Sequence, residues 1–253
     1  MEKLIYPDSF INKILNMDCL EAMRDIPDKS VDLVLTDPPY GVAKATWDII
    51  DYKLLFPELY RVMKVGACIY VFGAIWTFEK LLVSSKKFFE HLNTCIWLYP
   101  NGMNRLENNW QICYDPVFFG KKQGEHYFDT DGIRVPYTEG AIERMKNPNI
   151  KGGKEWKAHP NGRKLENVLV VPCLNHGAGI GERTEHPTQK PVDLIKLYIK
   201  ASSKQGDLIL DPFLGSGTVA VAAKNLGRNF IGIEISEDYC RISKERLKQE
   251  ILL

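Results

Sequence analysis

The sequence predicts an α/β fold built on a mostly parallel sheet and interrupted by an irregular insertion, and three observations carry that prediction. Short apolar runs at residues 31–36, 208–210 and 230–235 each stop at a polar or glycine-bearing loop, and two of them are followed directly by helical patterns. Strand, loop and helix in alternation are the signature of parallel strands joined by crossover helices. A continuous apolar run at 66–73 reads as a further strand buried on both faces, as parallel strands are. Across residues 123–183 apolar periodicity fades while Gly, Asn and Pro multiply, which marks the insertion.

The elements follow in order. Residues 1–12 read as an arm, 13–17 as a strand ending at Asp18-Cys19, and 20–26 as a short helix. An acid at such a corner serves as a helix N-cap or as a ligand contact, and both roles can coexist. The strand at 31–36 ends at Asp37-Pro38-Pro39-Tyr40, where two prolines without N–H groups can extend neither ladder nor helix. A polar stretch with Trp47 spans 41–51. Leu54, Leu55, Leu59 and Val62 then repeat at helical spacing. A helix fits 77–91, a strand 94–99, and an aromatic strand 115–122, with Phe118 and Phe119 read as core packing. Trp110 and Tyr114 beside it are candidate walls of a binding pocket. Beyond the insertion, Pro191 suits the first turn of a helix at 192–199. The strand at 208–210 and the small-residue helix at 219–223 follow, and Ser236 caps a last helix at 237–250.

With 253 residues, the chain can bury one sizeable core, enough for one Rossmann-like domain with an insertion. Its 45% hydrophobic and 26% charged content is ordinary for a soluble globular protein. A net charge of only +1 means that any nucleic-acid surface must come from local clustering. The six cysteines are scattered without a C-x-x-C pair, the usage of reduced thiols in a cytoplasmic protein. No signal peptide opens the chain, and the longest uncharged apolar run, 65–76, is too short to span a bilayer. A cytoplasmic location without membrane attachment is the expectation.

Two stretches carry chemistry. At Asp37-Pro38-Pro39-Tyr40 a carboxylate, an unconsumed carbonyl and an aromatic face meet at a strand's C-terminal end, the edge where open α/β sheets bind ligands. At Asp211-Pro212-Phe213-Leu214-Gly215-Ser216-Gly217-Thr218 the glycine spacing lets a backbone pass close to a nucleotide-like ligand. Glu234, near the end of the next strand, is placed to accept both hydroxyls of a ribose.

These motifs resemble those of S-adenosylmethionine-dependent DNA amino-methyltransferases, which methylate the exocyclic nitrogen of adenine or cytosine. The family's catalytic signature is [DNS]-P-P-[YFW] and its cofactor signature is F-x-G-x-G, matched by Phe213, Gly215 and Gly217. The catalytic motif comes first and the cofactor motif last, the order of the family's β class. His186-Pro187-Thr188-Gln189-Lys190-Pro191 matches a third signature in its usual place before the cofactor strand. The resemblance implies a Rossmann-like methyltransferase sheet, mostly parallel with an antiparallel edge strand. It implies two halves of one domain, 1–122 and 184–253, around a target-recognition insertion at 123–183. S-adenosyl-L-methionine is the implied cofactor, with Asp18, Cys19, Asp37, Thr188, Lys190, Asp211, Phe213, Gly215, Ser216, Gly217, Thr218 and Glu234 around it. Thr188 and Lys190 are read as partners of its methionine carboxylate.

The implied chemistry needs neither metal nor covalent intermediate, so His176 and His186 are not expected to ligate a metal. The Asp37 carboxylate and Pro38 carbonyl would accept the hydrogens of an amino group and draw its delocalised nitrogen toward tetrahedral geometry. Pro39 stiffens the loop, and Tyr40 would stack on a base taken out of the duplex. Asp as first residue favours adenine; the same chemistry on cytosine stays open. Residues 141–164 hold seven Lys or Arg against two Glu, a local charge of +5. Such a run is a solvated face or, in this slot, a grip on double-stranded DNA through Lys151, Lys154, Lys157, Arg163 and Lys164. A nicotinamide-dependent oxidoreductase shares the glycine loop but has no use for the Asp37 motif, and a non-catalytic DNA-binding protein has no use for the cofactor site. Family members often form homodimers and accompany a separately encoded endonuclease; no pattern here argues for either partner.

Overall fold

The computed structural model describes residues 4–40, 50–100, 108–146, 158–174 and 182–249. Trp47, Lys151, Lys154, Trp156, Lys157 and His176 lie outside the described residues. In chain order the elements are β1 (Lys13–Asn16), α1 (Cys19–Arg24), β2 (Val31–Thr36), α2 (Tyr52–Val62), β3 (Met63–Phe72), α3 (Phe78–Ser85), β4 (Glu90–Leu98) and β5 (Tyr114–Lys121). Then follow α4 (Glu139–Lys146), β6 (Val168–Val170), α5 (Val192–Ser202), β7 (Leu208–Asp211), α6 (Thr218–Asn225), β8 (Asn229–Glu234) and α7 (Glu237–Lys248).

The strands form one sheet in the order β1-β8-β7-β2-β3-β5-β4-β6. All neighbours run parallel except β5, which is antiparallel to both β3 and β4. The reversed strand expected at the edge is therefore present, with β4 and β6 lying outboard of it. Residues 168–170, read from the sequence as part of the insertion, add the edge strand by pairing with residues 96–98. The helix expected over 77–91 ends at Ser85, and the chain enters β4 at Glu90, because Glu90 to Leu98 find ladder partners along β5.

Period-2 alternation divides each central strand between two cores. From β2, Val34 faces one core while Leu33 and Leu35 face the other, and Val31 joins Val34 because the β2–β3 register shifts between Val31 and Leu33. From β3, Ile69 and Val71 join the first, with α1 and α2, and Tyr70 and Phe72 the second, with α5 and α6. Leu54, expected in the helical core stripe, is 58% exposed, whereas Leu55, Leu59 and Val62 are buried. Phe118 and Phe119 are core residues, as their composition predicts. In α6, Ala220, Ala222 and Ala223 are fully buried, their small side chains permitting close approach to the sheet.

This topology creates the site. The crossover from β7 through α6 leads to β8 on one side, and that from β2 through α2 leads to β3 on the other. β7 and β2 are neighbours, paired through Leu33–Ile209 and Val34–Leu210. Where adjacent parallel strands lead in opposite directions, their connecting loops part and leave a crevice at the C-terminal ends. Both sequence motifs begin at that crevice.

Candidate active site

A cavity of about 480 Å³ occupies the crevice. Its walls bring together Asp18, Cys19, Asp37, Pro38, Pro39, Tyr40, Thr188, Lys190, Asp211, Phe213, Gly215, Ser216, Thr218 and Glu234, drawn from segments almost the whole chain apart. Ile50, Leu54, Leu55 and Phe72 supply apolar wall. The half-exposed Leu54 thus belongs to the pocket, which explains why a helical-spacing argument misplaced it.

Beside the glycine loop, Glu234 straps two backbones together. Its Oε2 accepts from Gly215 N and its Oε1 from Ser236 N, both at 2.8 Å. Burial raises its carboxyl above the ordinary range, and those backbone donors pull it back. Asp211, 3% exposed, accepts from Thr36 Oγ1 at 2.8 Å and Phe213 N at 3.1 Å through the same oxygen. It ties the ends of β7 and β2, and burial pushes its carboxyl up to about 7. Asp18 caps α1 by accepting from Leu20 N and Glu21 N at 2.9 and 3.1 Å while lining the cavity, so both of its expected roles are compatible. Cys19 is a half-buried thiol that desolvation pushes up to about 12, so it stays protonated.

The two glycines of the loop act differently. Gly215 lines the cavity with φ +52°, and a Cβ there would come 2.9 Å from His186 Nε2. Gly217 has φ +83° as the N-cap of α6, and its missing side chain faces Ser243 of α7, where a Cβ would stand 2.6 Å from Ser243 Cβ. Gly217 is required for the turn and for helix packing, while Gly215, Ser216 and Thr218 form the wall. Arg246 of α7, which the sequence does not single out, braces the loop from behind. Its Nη1 donates to Ser216 O at 2.7 Å, Ser216 Oγ at 3.2 Å and Thr218 Oγ1 at 3.1 Å, and its Nη2 pairs with Glu182 at 3.6 Å.

Around the third motif, Thr188 and Lys190 both line the cavity. The first N–H of α5, from Val192, is taken by Glu182 Oε1 at 2.7 Å. Thr188 remains on the cavity wall, but Lys190 turns its ammonium to Asp37 Oδ2 at 2.5 Å. Pro191 is the N-cap of α5, one place before the first turn. His186 packs against the Tyr239 ring with centroids 4.4 Å apart, and its Nδ1 accepts from Thr188 N at 3.3 Å. Burial lowers its imidazole to about 4, so it is neutral at pH 7.

On the β2 side of the cavity, Asp37 stands half-buried just after the strand, with the Tyr40 hydroxyl donating to its Oδ1. Burial, and then Asp37, hold the Tyr40 phenol well above its usual range. Two residues that the sequence leaves unassigned close the corner: Trp97 and Asp115. Trp97 is 4% exposed, with its ring 5.4 Å from Lys190 Nζ. Asp115 accepts from Tyr99 Oη at 3.2 Å. Asp115 lies at the start of β5, and because that strand runs antiparallel its start lies at the same sheet edge as Asp37 and Asp211, which mark the ends of β2 and β7. The candidate walls Trp110 and Tyr114 are 90% and 37% exposed and stand at the surface.

Of the charged residues assigned to DNA, the structure describes Arg163 and Lys164. Arg163 forms a bridge to Val135 through its backbone and pairs with Glu166 at 3.2 Å; Lys164 is exposed. Among the described residues no group of three His, Cys, Asp or Glu side chains could hold a metal ion, and no helix is long and apolar enough to cross a membrane.

Residues 31–245, which contain all three motifs, match the family model described as DNA methylase. The chain belongs to that family. It is 35% identical over 248 residues to the type II methyltransferase M1.MboII of Moraxella bovis, covering 90% of this chain and 94% of that protein. It is 30% identical to the DNA adenine methyltransferase YhdJ of Escherichia coli strain K12, covering 92% and 82% respectively. Among solved structures, M1.HpyAVI in complex with SAM superposes with a TM-score of 0.64 at 24% identity, over 92% of this chain and 98% of that one. The cytosine-N4-specific PvuII DNA methyltransferase gives 0.69 at 16% identity, over 95% and 88%. These two likenesses establish the fold. The chain is a DNA amino-methyltransferase, and such enzymes take their methyl group from S-adenosylmethionine. The cavity suits that cofactor: an acid strapped at a strand end for hydroxyls, a glycine loop without a Cβ toward the wall, and apolar side chains for a ring.

Proposed function

We propose that this DNA methyltransferase is site-specific and modifies the exocyclic amino group of adenine, after the base has left the duplex. The observation that carries the reading is that Asp37 and the Gly215–Glu234 cradle line one cavity, so an acceptor for an amino group faces the seat of a methyl donor. Adenine is favoured by Asp as first residue of the tetrad and by the 30% identity to a relative named as an adenine methyltransferase.

Bound S-adenosylmethionine supplies an electrophilic sulfonium methyl, which needs placement more than activation. The protein's part lies on the nucleophile. The Asp37 carboxylate and Pro38 carbonyl accept hydrogen bonds from the amino group, localise its lone pair and stabilise the charge that develops on it. Phe72, Trp97 and Tyr40 give the corner aromatic walls. Glu234 and Asp18 hold the nucleoside portion of the cofactor, and Ser216, Thr218 and Thr188 stand toward its remainder. Arg163 and Lys164, with Lys151, Lys154 and Lys157, contact phosphates from the insertion at 123–183, and 1–122 and 184–253 act as halves of one catalytic domain.

The test is methylation of unmodified genomic DNA, digestion to nucleosides and mass spectrometry, with mapping of the modified sequence. N6-methyladenine at one short sequence supports the reading, and N4-methylcytosine would replace it. Asp37→Ala, folded by circular dichroism, should transfer no methyl group.

A further inference from the structure

The acceptor on which the proposed chemistry depends is held by a buried cation. Lys190 Nζ donates to Asp37 Oδ2 at 2.5 Å, and Tyr40 donates to the other oxygen. Lys190 is 8% exposed, and its ammonium lies 5.3, 5.4 and 5.9 Å from the ring centres of Phe72, Trp97 and Tyr40. A nitrogen bearing hydrogens therefore already occupies the seat on Asp37 that a target amino group would take. For the base to enter, the ammonium has to give way. A buried charge that loses its partner is strongly destabilised unless another partner receives it.

The ladder places such a partner. Trp97 of β4 and Asp115 of β5 stand directly opposite one another, and opposed residues project on the same face of the sheet. The Lys190 ammonium lies over that Trp97 ring, so Asp115 shares its face. One oxygen of Asp115 is anchored by the Tyr99 hydroxyl at 3.2 Å. Burial raises the Asp115 carboxyl while the Lys190 charge lowers it and Asp37 raises it, so the three groups sense one another across the corner. The backbone of Lys190 is itself fixed, its carbonyl accepting from Thr218 Oγ1 at 3.1 Å, which leaves the flexible four-carbon arm to move.

We propose that Asp115 is a positioning residue for methyl transfer: it receives the Lys190 ammonium when the target base enters, and so frees Asp37 to accept the exocyclic amino group. The corner holds two carboxylates and one ammonium in both arrangements, so no charge is stranded during the exchange. The inference rests on the assignment of Asp37 as the acceptor.

Single-turnover methyl transfer to a duplex bearing the mapped sequence tests it in a double-mutant cycle. Asp115→Asn keeps the size and an acceptor for Tyr99 but removes the charge. It should slow transfer about 10- to 100-fold, the scale of a lost hydrogen bond to a charged group, while affinity for S-adenosylmethionine holds. Lys190→Met removes the cation that needs a second seat, so adding Asp115→Asn to it should cost nothing further. A full Asp115→Asn penalty in the Lys190→Met background, or none in the wild type, overturns the proposal. If Lys190→Met alone is inactive, the same cycle is read from duplex affinity with S-adenosylhomocysteine bound, where additivity again overturns it. If Asp115→Asn fails to fold, Asp115→Ser takes its place in both cycles with the same criteria. Asp37→Ala run alongside separates the two claims. Activity retained there removes the acceptor assignment, whereas loss there with an additive cycle removes only the role of Asp115.

Discussion

Replacing Glu234 by alanine should weaken the cofactor while leaving the sheet folded. The carboxylate accepts from Gly215 N and Ser236 N at 2.8 Å each, so it both shapes the glycine loop and presents its remaining lone pairs to the cavity. Alanine removes the proposed ribose contacts and loosens the loop that Glu234 straps. Hydrogen bonds to a charged group are worth about 1.5–3 kcal/mol, which corresponds to an affinity loss of about 10- to 100-fold. The folding cost is smaller, because the carboxyl is raised by burial and already bears a desolvation penalty that alanine relieves. Glu234→Gln should fall between, since its amide nitrogen would face one of the two backbone donors. Calorimetric titration with S-adenosylmethionine measures the affinity, and a melting curve of the cofactor-free protein measures the fold. Unchanged affinity in Glu234→Ala would refute the ribose assignment. So would an affinity loss matched by collapse of the cofactor-free protein.

Other substitutions probe the rest of the site. Gly217→Val forces a β-branched residue to φ +83° and sets its Cβ 2.6 Å from that of Ser243, so it should lower the melting midpoint as well as cofactor affinity; a stable variant that only loses the cofactor would mean that Gly217 faces the ligand. Asp211 has a folded carboxyl value of about 7, above its ordinary 3.8, so folding favours its protonated form; that contribution is complete below pH about 4 and is lost as pH rises through about 7. Asp211→Asn keeps an oxygen for Thr36 and Phe213 without that dependence. Urea midpoints should therefore show wild type losing about 2–3 kcal/mol relative to the variant between pH 5 and pH 8, and parallel pH profiles would contradict it. Neutralising Lys151, Lys154 and Lys157 together should flatten the salt dependence of DNA binding by about 0.9 in log–log slope per lost phosphate contact. Identical salt plots for variant and wild type would place the DNA surface elsewhere.

Periodicity, breakers and motif order were enough to read the parallel strands, the two loops of the crevice and most of the cavity wall. These are local properties: a pair of prolines ends a strand, and a glycine spacing with an acid at the next strand's end marks a nucleotide cradle wherever the fold puts it. What tertiary structure decided is who faces whom. Residues 168–170 are too few to announce a strand, yet they become one because β4 offers an open edge. Residues 90 and 91 read as the end of a helix until the β5 ladder claims them. Gly217 looks like a ligand-facing glycine in the motif, but packing turns its open side to Ser243. The acid of Asp115 means nothing by itself in the sequence, because its significance depends on Trp97, 18 positions earlier, and on Lys190, 75 positions later. Lys190 shows the same limit most sharply. Its motif marks it as functional, but its partner is chosen by electrostatics across the crevice: a buried ammonium takes the nearest carboxylate, and that carboxylate is Asp37.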